Sequence, residues 1–149
     1  MTPGLIDLHT HMSDKQLPPS TVLADGVTSL LDAGSAGFDN IDDLVKIVQA
    51  APNRVRILIN IGHLGVAPEG ELNNLDNVNP EATRKAIERN RQWVVGIKAR
   101  LSRTVAGDHD LEALRPRAPG GGSLEGADHD PCRPDFLAAT GDPRAAQAG

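Results

Sequence analysis

Four short apolar runs rich in Val, Ile and Leu divide the first hundred residues, and the stretches between them leave room for helices. They are residues 5–11 (LIDLHTH), 27–33 (VTSLLDA), 55–61 (VRILINI) and 93–99 (WVVGIKA). Each has strand length and lies beside turn formers, such as Pro3-Gly4 before the first and Gly26 and Gly34 around the second. Pro18-Pro19-Ser20 breaks the chain after the first run, and residues 21–25 can form one helical turn. Ile41, Leu44, Val45 and Val48 make a helical stripe, with Asp39 or Asn40 as its N-cap. Asn79 and Pro80 open a second clear helix, which runs to about Gln92, because Asn caps and Pro suits the first helical position. The order is β, short α, β, α, β, α, β. Strands separated by helices pair in parallel through right-handed crossovers. Open doubly wound sheets and (β/α)8 barrels both begin this way; a full barrel takes about 250 residues and eight strands, so four strands are its first half.

Composition divides the 149-residue chain in two. Residues 1–115 hold 18 Val and Ile, and residues 116–149 hold none. Of those last 34 residues, 25 are Gly, Ala, Pro, Arg or Asp, a mixture with no strand formers and no helical stripe. The expectation is an α/β unit over 1–115 and a disordered tail over 116–149. The net charge of −5 and a 2% aromatic content without Tyr argue against a nucleic-acid partner. A single Cys fits a reducing compartment. No run approaches the roughly 18 apolar residues of a membrane span, and the N-terminus lacks the marks of a signal peptide. These features predict a soluble, cytoplasmic chain with no membrane partner.

His9-Thr10-His11 is the triplet with the most chemical content. Residues two apart on a strand face the same side, so both imidazoles can hold one metal ion at the C-terminal end of the first strand. Asp7 precedes them on that face. A bare HxH also occurs at solvated strand ends, so the context has to carry the argument.

That context resembles a known family. Pro3-Gly4-Leu5-Ile6-Asp7-Leu8-His9-Thr10-His11 is similar to the opening of the amidohydrolase superfamily, and closest to its deacetylase-type, dihydroorotase-like metallohydrolases. Further similarity lies in Asp25-Gly26-Val27-Thr28, Asp32-Ala33-Gly34-Ser35-Ala36-Gly37, Asn60-Ile61, Glu71-Leu72 and residues 95–102 (VGIKARLS). The resemblance covers about residues 2–115. It implies a TIM-like (β/α)8 barrel with one or two divalent ions, zinc foremost, at the strand C-termini. His9 and His11 match the first metal pair, and Lys98 matches a lysine that is carbamylated in binuclear members. An ammonium repels metal ions, whereas a buried neutral amine can add CO2 and become an anionic bridge. The metals would then activate a water and polarise the carbonyl of a small-molecule amide, cyclic amide or acetyl ester.

The sequence departs from that pattern in three ways. The small β-sandwich built largely from residues before the Pro-Gly motif has no counterpart. The third and fourth histidines and the general-base aspartate of the last strand are absent. The residues after Arg115 do not continue the barrel. Back-translation one nucleotide later lets residues 128–133 encode Ile-Met-Ile-His-Val, an apolar strand ending in histidine, which points to a frame shift near Arg115. The expectation is a barrel fragment with an incomplete catalytic set, unstable and with little or no activity alone. The rivals are a small flavodoxin-like binding module, although Thr10-His11-Met12-Ser13 stands where a Gly-rich phosphate turn belongs, and a non-functional truncated gene product. Plainer readings apply to single residues. Lys98 alone is a solvated strand-end lysine, His63 an exposed loop histidine and Asp32 a turn cap. Glu88, Arg89 and Arg91 form a solvated helix face. His109 and His129 carry no role, and Cys132 lacks the His partner of a nucleophile.

Overall fold

The computed structural model describes residues 2–13, 17–67 and 71–106, within a compact unit spanning Met1–Leu114. The expectations for residues 116–149, His109, His129 and Cys132 lie outside the described residues. Four strands, β1 (Leu5–Thr10), β2 (Val27–Ala33), β3 (Arg54–Asn60) and β4 (Val94–Lys98), form one sheet in the order β1-β2-β3-β4. All three neighbouring pairs are parallel. Helix α1 (Ile41–Ala50) links β2 to β3, and α2 (Pro80–Arg89) links β3 to β4. One-turn 3-10 segments lie at Pro19–Leu23 and Leu75–Asn77, and a short α3 (Arg103–Ala106) follows β4. This is the parallel alternation read from the sequence.

The stripe of α1 is buried at all four positions, Ile41, Leu44, Val45 and Val48. Asn40 does occupy the N-cap position, but its side chain makes no cap bond. Its Oδ1 instead accepts from the Gly37 N–H and its Nδ2 donates to the Leu64 carbonyl, each at 2.9 Å. Asp42 and Asp43 in the first turn supply the negative charge that the helix N-terminus favours. In α2 the cap forms as read: Asn79 Oδ1 accepts from the Ala82 N–H at 3.0 Å, beside Pro80 in the first turn. That helix buries only Thr83, Ala86 and Ile87. Its outer face carries a ladder in which Arg84 pairs with Glu81 and Glu88.

The centre of the core is the alternating face of β3, where Val55, Ile57 and Ile59 are buried along with Leu30 of β2. A second cluster, of Leu72, Leu75, Val105 and Ala106, pins the long segment after β3 against α3. The backbone N–H of Leu72 donates to the Val105 carbonyl across that contact. The first strand departs from expectation. It reads as buried, yet Leu5, Ile6 and Leu8 are 61–70% exposed. Its apolar residues lie on an edge strand of the sheet.

Candidate metal centre

The sequence-derived site gathers at the C-terminal ends of β1, β2 and β4. His9 lies near the end of β1 and His11 just past it, and their ring centroids are 5.4 Å apart in an edge-on arrangement. Burial pushes the His11 imidazole down from its usual value, and the charges of His9, Lys98 and Arg100 act in the same direction against the opposing pull of Asp32. Lys98 and Arg100 therefore stand within electrostatic reach of His11, although β1 and β4 are opposite edges of the sheet.

The reach of Lys98 has a visible cause. Lys98 pairs in register with Asn60 of β3, yet its stem extends over the end of β2. A Cβ built on Gly34 would lie 2.8 Å from Lys98 Cγ. Gly34 also holds a φ of +92°, which L side chains rarely adopt. Glycine is needed there twice over, for the turn after β2 and for the passage of Lys98. The turn Gly34 belongs to is organised by Asp32, a fully buried carboxylate. Its Oδ1 accepts from the N–H groups of Gly34 (3.1 Å) and Ser35 (2.8 Å). Its Oδ2 accepts from the Ser35 hydroxyl (2.6 Å) and from the Met12 N–H (2.9 Å), the residue after His11. Asp32 is thus the turn cap read from the sequence, and it also ties β1 to β2. Ser35 Oγ lies 3.3 Å from His11 Nδ1.

Asp7 does not join the pair. Its Oδ1 accepts from the His9 backbone N–H at 3.0 Å. The β1–β2 register also shifts between Asp7 and Thr10, which breaks the simple alternation that put Asp7 beside the histidines. His63 lies in the loop after β3, partly exposed, and its Nδ1 lies 2.9 Å from Asp39 Oδ2.

Sequence reasoning assigned no role to a buried polar group beneath the site. Asn60 is fully buried at the end of β3. Its Nδ2 donates to the Gly34 carbonyl (3.3 Å) and to Glu71 Oε1 (3.4 Å), and its Oδ1 accepts from the Gly62 N–H (2.8 Å). Glu71 in turn accepts from the Ala67 N–H at 2.9 Å and faces Arg100 at 3.9 Å. The group fixes the loop ends against which Lys98 packs. Its signal was the polar Asn60 closing an otherwise apolar strand.

Among the described residues no three His, Cys, Asp or Glu side chains converge on one point. The residues that the resemblance assigns to a metal offer two imidazoles and one amine. The imidazole pair suits zinc, and the amine suits it only after losing its positive charge.

No model of a known protein family matches the chain. A deacetylase of Enterococcus faecalis is 38% identical to it, over 74% of this chain and 31% of that protein. Deacetylases of Brucella anthropi and Agrobacterium fabrum are 31% and 30% identical, each over 77% of this chain and 31% and 30% of their own lengths. The crystal structure of an adenine deaminase superposes with a TM-score of 0.69 at 38% identity, over 75% of this chain and 33% of that one. A dihydroorotase structure follows, with a TM-score of 0.63 at 27% identity, over 70% and 31%. The chain spans about a third of the length of each relative. The shared sequence, the parallel β1-β2-β3-β4 order and the superposition together make this chain a member of the amidohydrolase superfamily, with deacetylases among its relatives, corresponding to the first half of the (β/α)8 barrel.

Proposed function

We propose that this chain is the metal-holding part of a metal-dependent hydrolase that cleaves an amide, cyclic amide or acetyl ester of a small molecule. The observation that carries the reading is the His9–His11 pair, edge-on with ring centroids 5.4 Å apart, with the turn that bears Ser35 beside it and the Lys98 stem crossing Gly34 of that turn. A divalent ion, zinc by the preference of imidazole, would polarise the substrate carbonyl and activate water. His9 and His11 would each hold it through a neutral ring nitrogen. Lys98 would join only as a carbamate. Its unprotonated Nζ would add to the carbon of CO2, an N–C bond forming as one C=O π pair moves onto oxygen, and one N–H proton would leave to solvent. The product is an anion able to bridge a second ion. The relatives named as deacetylases favour an acyl bond as the one broken. Residues 1–115 offer no counterpart of the further histidines and the general base that the family uses, and concerted catalysis needs its groups together. The chain alone is therefore expected to bind metal and to turn over little or no substrate.

Metal analysis of the purified full chain tests this. The wild type should retain a stoichiometric divalent ion, and the His9→Ala, His11→Ala double variant should lose it with an unchanged circular dichroism spectrum. Equal metal content in both would overturn the site. Metal-dependent hydrolysis well above the double variant would overturn the inactivity.

A further inference from the structure

We infer that Asp32 and Ser35 are positioning residues that set the tautomer of His11, presenting its Nε2 lone pair at the end of β1. The inference follows from counting protons along one line of contacts. Four donors surround the Asp32 carboxylate, the N–H groups of Met12, Gly34 and Ser35 and the Ser35 hydroxyl. They fill the four lone-pair sites of the two oxygens, so Asp32 acts wholly as an acceptor. The Ser35 hydroxyl has one proton, and the 2.6 Å contact with Asp32 Oδ2 takes it. Toward His11, 3.3 Å away, Ser35 Oγ can then only accept. The proton in that contact belongs to His11 Nδ1, which leaves Nε2 unprotonated. Free histidine side chains favour the opposite tautomer, so the arrangement selects a form that the isolated ring disfavours.

Asp32 also acts on the backbone. Its bond to the Met12 N–H holds the residue that follows His11, so one carboxylate fixes the main chain beside the ring and, through Ser35, the ring itself. Residues that hydrogen-bond the second nitrogen of a ligating histidine orient the ring and raise its basicity, and their loss costs about 10- to 100-fold in metal affinity. The consequence for affinity rests on His11 being a ligand, as proposed above. The tautomer itself does not, because it is defined without metal.

The test uses the full chain labelled with 15N and free of metal, at mildly alkaline pH. Long-range 1H–15N correlation spectra report which ring nitrogen carries hydrogen, and the His11→Ala variant assigns the His11 signals. In the wild type His11 should be protonated on Nδ1. In Ser35→Ala it should shift toward Nε2–H, and Ser35→Thr, which keeps the hydroxyl, should restore the wild-type pattern. Zinc affinity should fall about 10- to 100-fold in Ser35→Ala and recover in Ser35→Thr. Circular dichroism checks that both variants fold. An Nε2–H tautomer in the wild type, or an unchanged tautomer in a folded Ser35→Ala, overturns the inference. If the tautomer shifts as stated but the wild type binds no zinc, the metal reading fails and the positioning role stands. If His11-dependent zinc binding is present but indifferent to Ser35, the positioning role fails and the metal reading stands.

Discussion

Strands β1 and β3 have much the same composition and opposite fates. In β3, Val55, Ile57 and Ile59 are at most 1% exposed, whereas in β1 Leu5, Ile6 and Leu8 are at least 61% exposed. The two segments read alike because an apolar run declares a strand, not its neighbours. Strand β3 lies between two partners and under α1. Strand β1 has one partner in the sheet, and its apolar side chains stay exposed. The relatives are more than twice as long, and a closed barrel would give β1 a second neighbour and a helix. The contrast shows that the core of this chain is built around β2 and β3, while the histidine-bearing strand is held by the hydrogen bonds that reach it from the β2 end.

Four substitutions measure how deep that contrast runs. Ile57→Ala removes a fully buried side chain from the centre of the sheet and should cost about 2–5 kcal/mol in urea unfolding, which can unfold a half-barrel outright. A cost below about 1 kcal/mol would mean that the two strands are not so different. Gly34→Ala comes next. It forces an L residue to φ +92° and drives a Cβ to 2.8 Å from the Lys98 stem, so about 1–3 kcal/mol should be lost and the Lys98 signals should move in NMR spectra. Leu8→Ser, on the exposed edge, should change stability by no more than about 0.5 kcal/mol in urea unfolding.

The smallest effect belongs to the exposed ladder of α2. Arg84, hydrogen-bonded to Glu81, holds that carboxyl down to about 2 from an ordinary 4.5. A carboxyl depressed on folding contributes stability above its unfolded value, and that contribution is lost as pH falls from about 4.5 toward 2. Water and salt screen a pair this exposed. Glu81→Gln should thus lower the urea midpoint slightly at neutral pH, with the difference vanishing in acid and in high salt.

What was legible in the sequence was local. The stripe at Ile41, Leu44, Val45 and Val48 encodes its own burial, and Asn79-Pro80 encodes its own helix start, since each depends on residues a turn away. The histidine pair was legible for the same reason, as two residues on one strand end. What was not legible depended on distant partners. Asp39 and Asn40 are both good caps on paper, but loop residues His63 and Leu64 claim their side chains. Simple alternation places Asp7 with the histidines, and the register shift in β1 removes it. Asn60, Glu71 and the need for glycine at position 34 emerge only when β2, β3 and β4 lie side by side, because each is defined by a contact across the sheet.

The central claim is that His9 and His11 hold one divalent ion together. X-ray absorption at the zinc edge of the reconstituted full chain tests it most directly. The account predicts imidazole nitrogen scattering at about 2.0–2.1 Å, arising from two histidines and reduced to one in either single alanine variant. A zinc shell without imidazole, or one that is unchanged in both His9→Ala and His11→Ala, would contradict it.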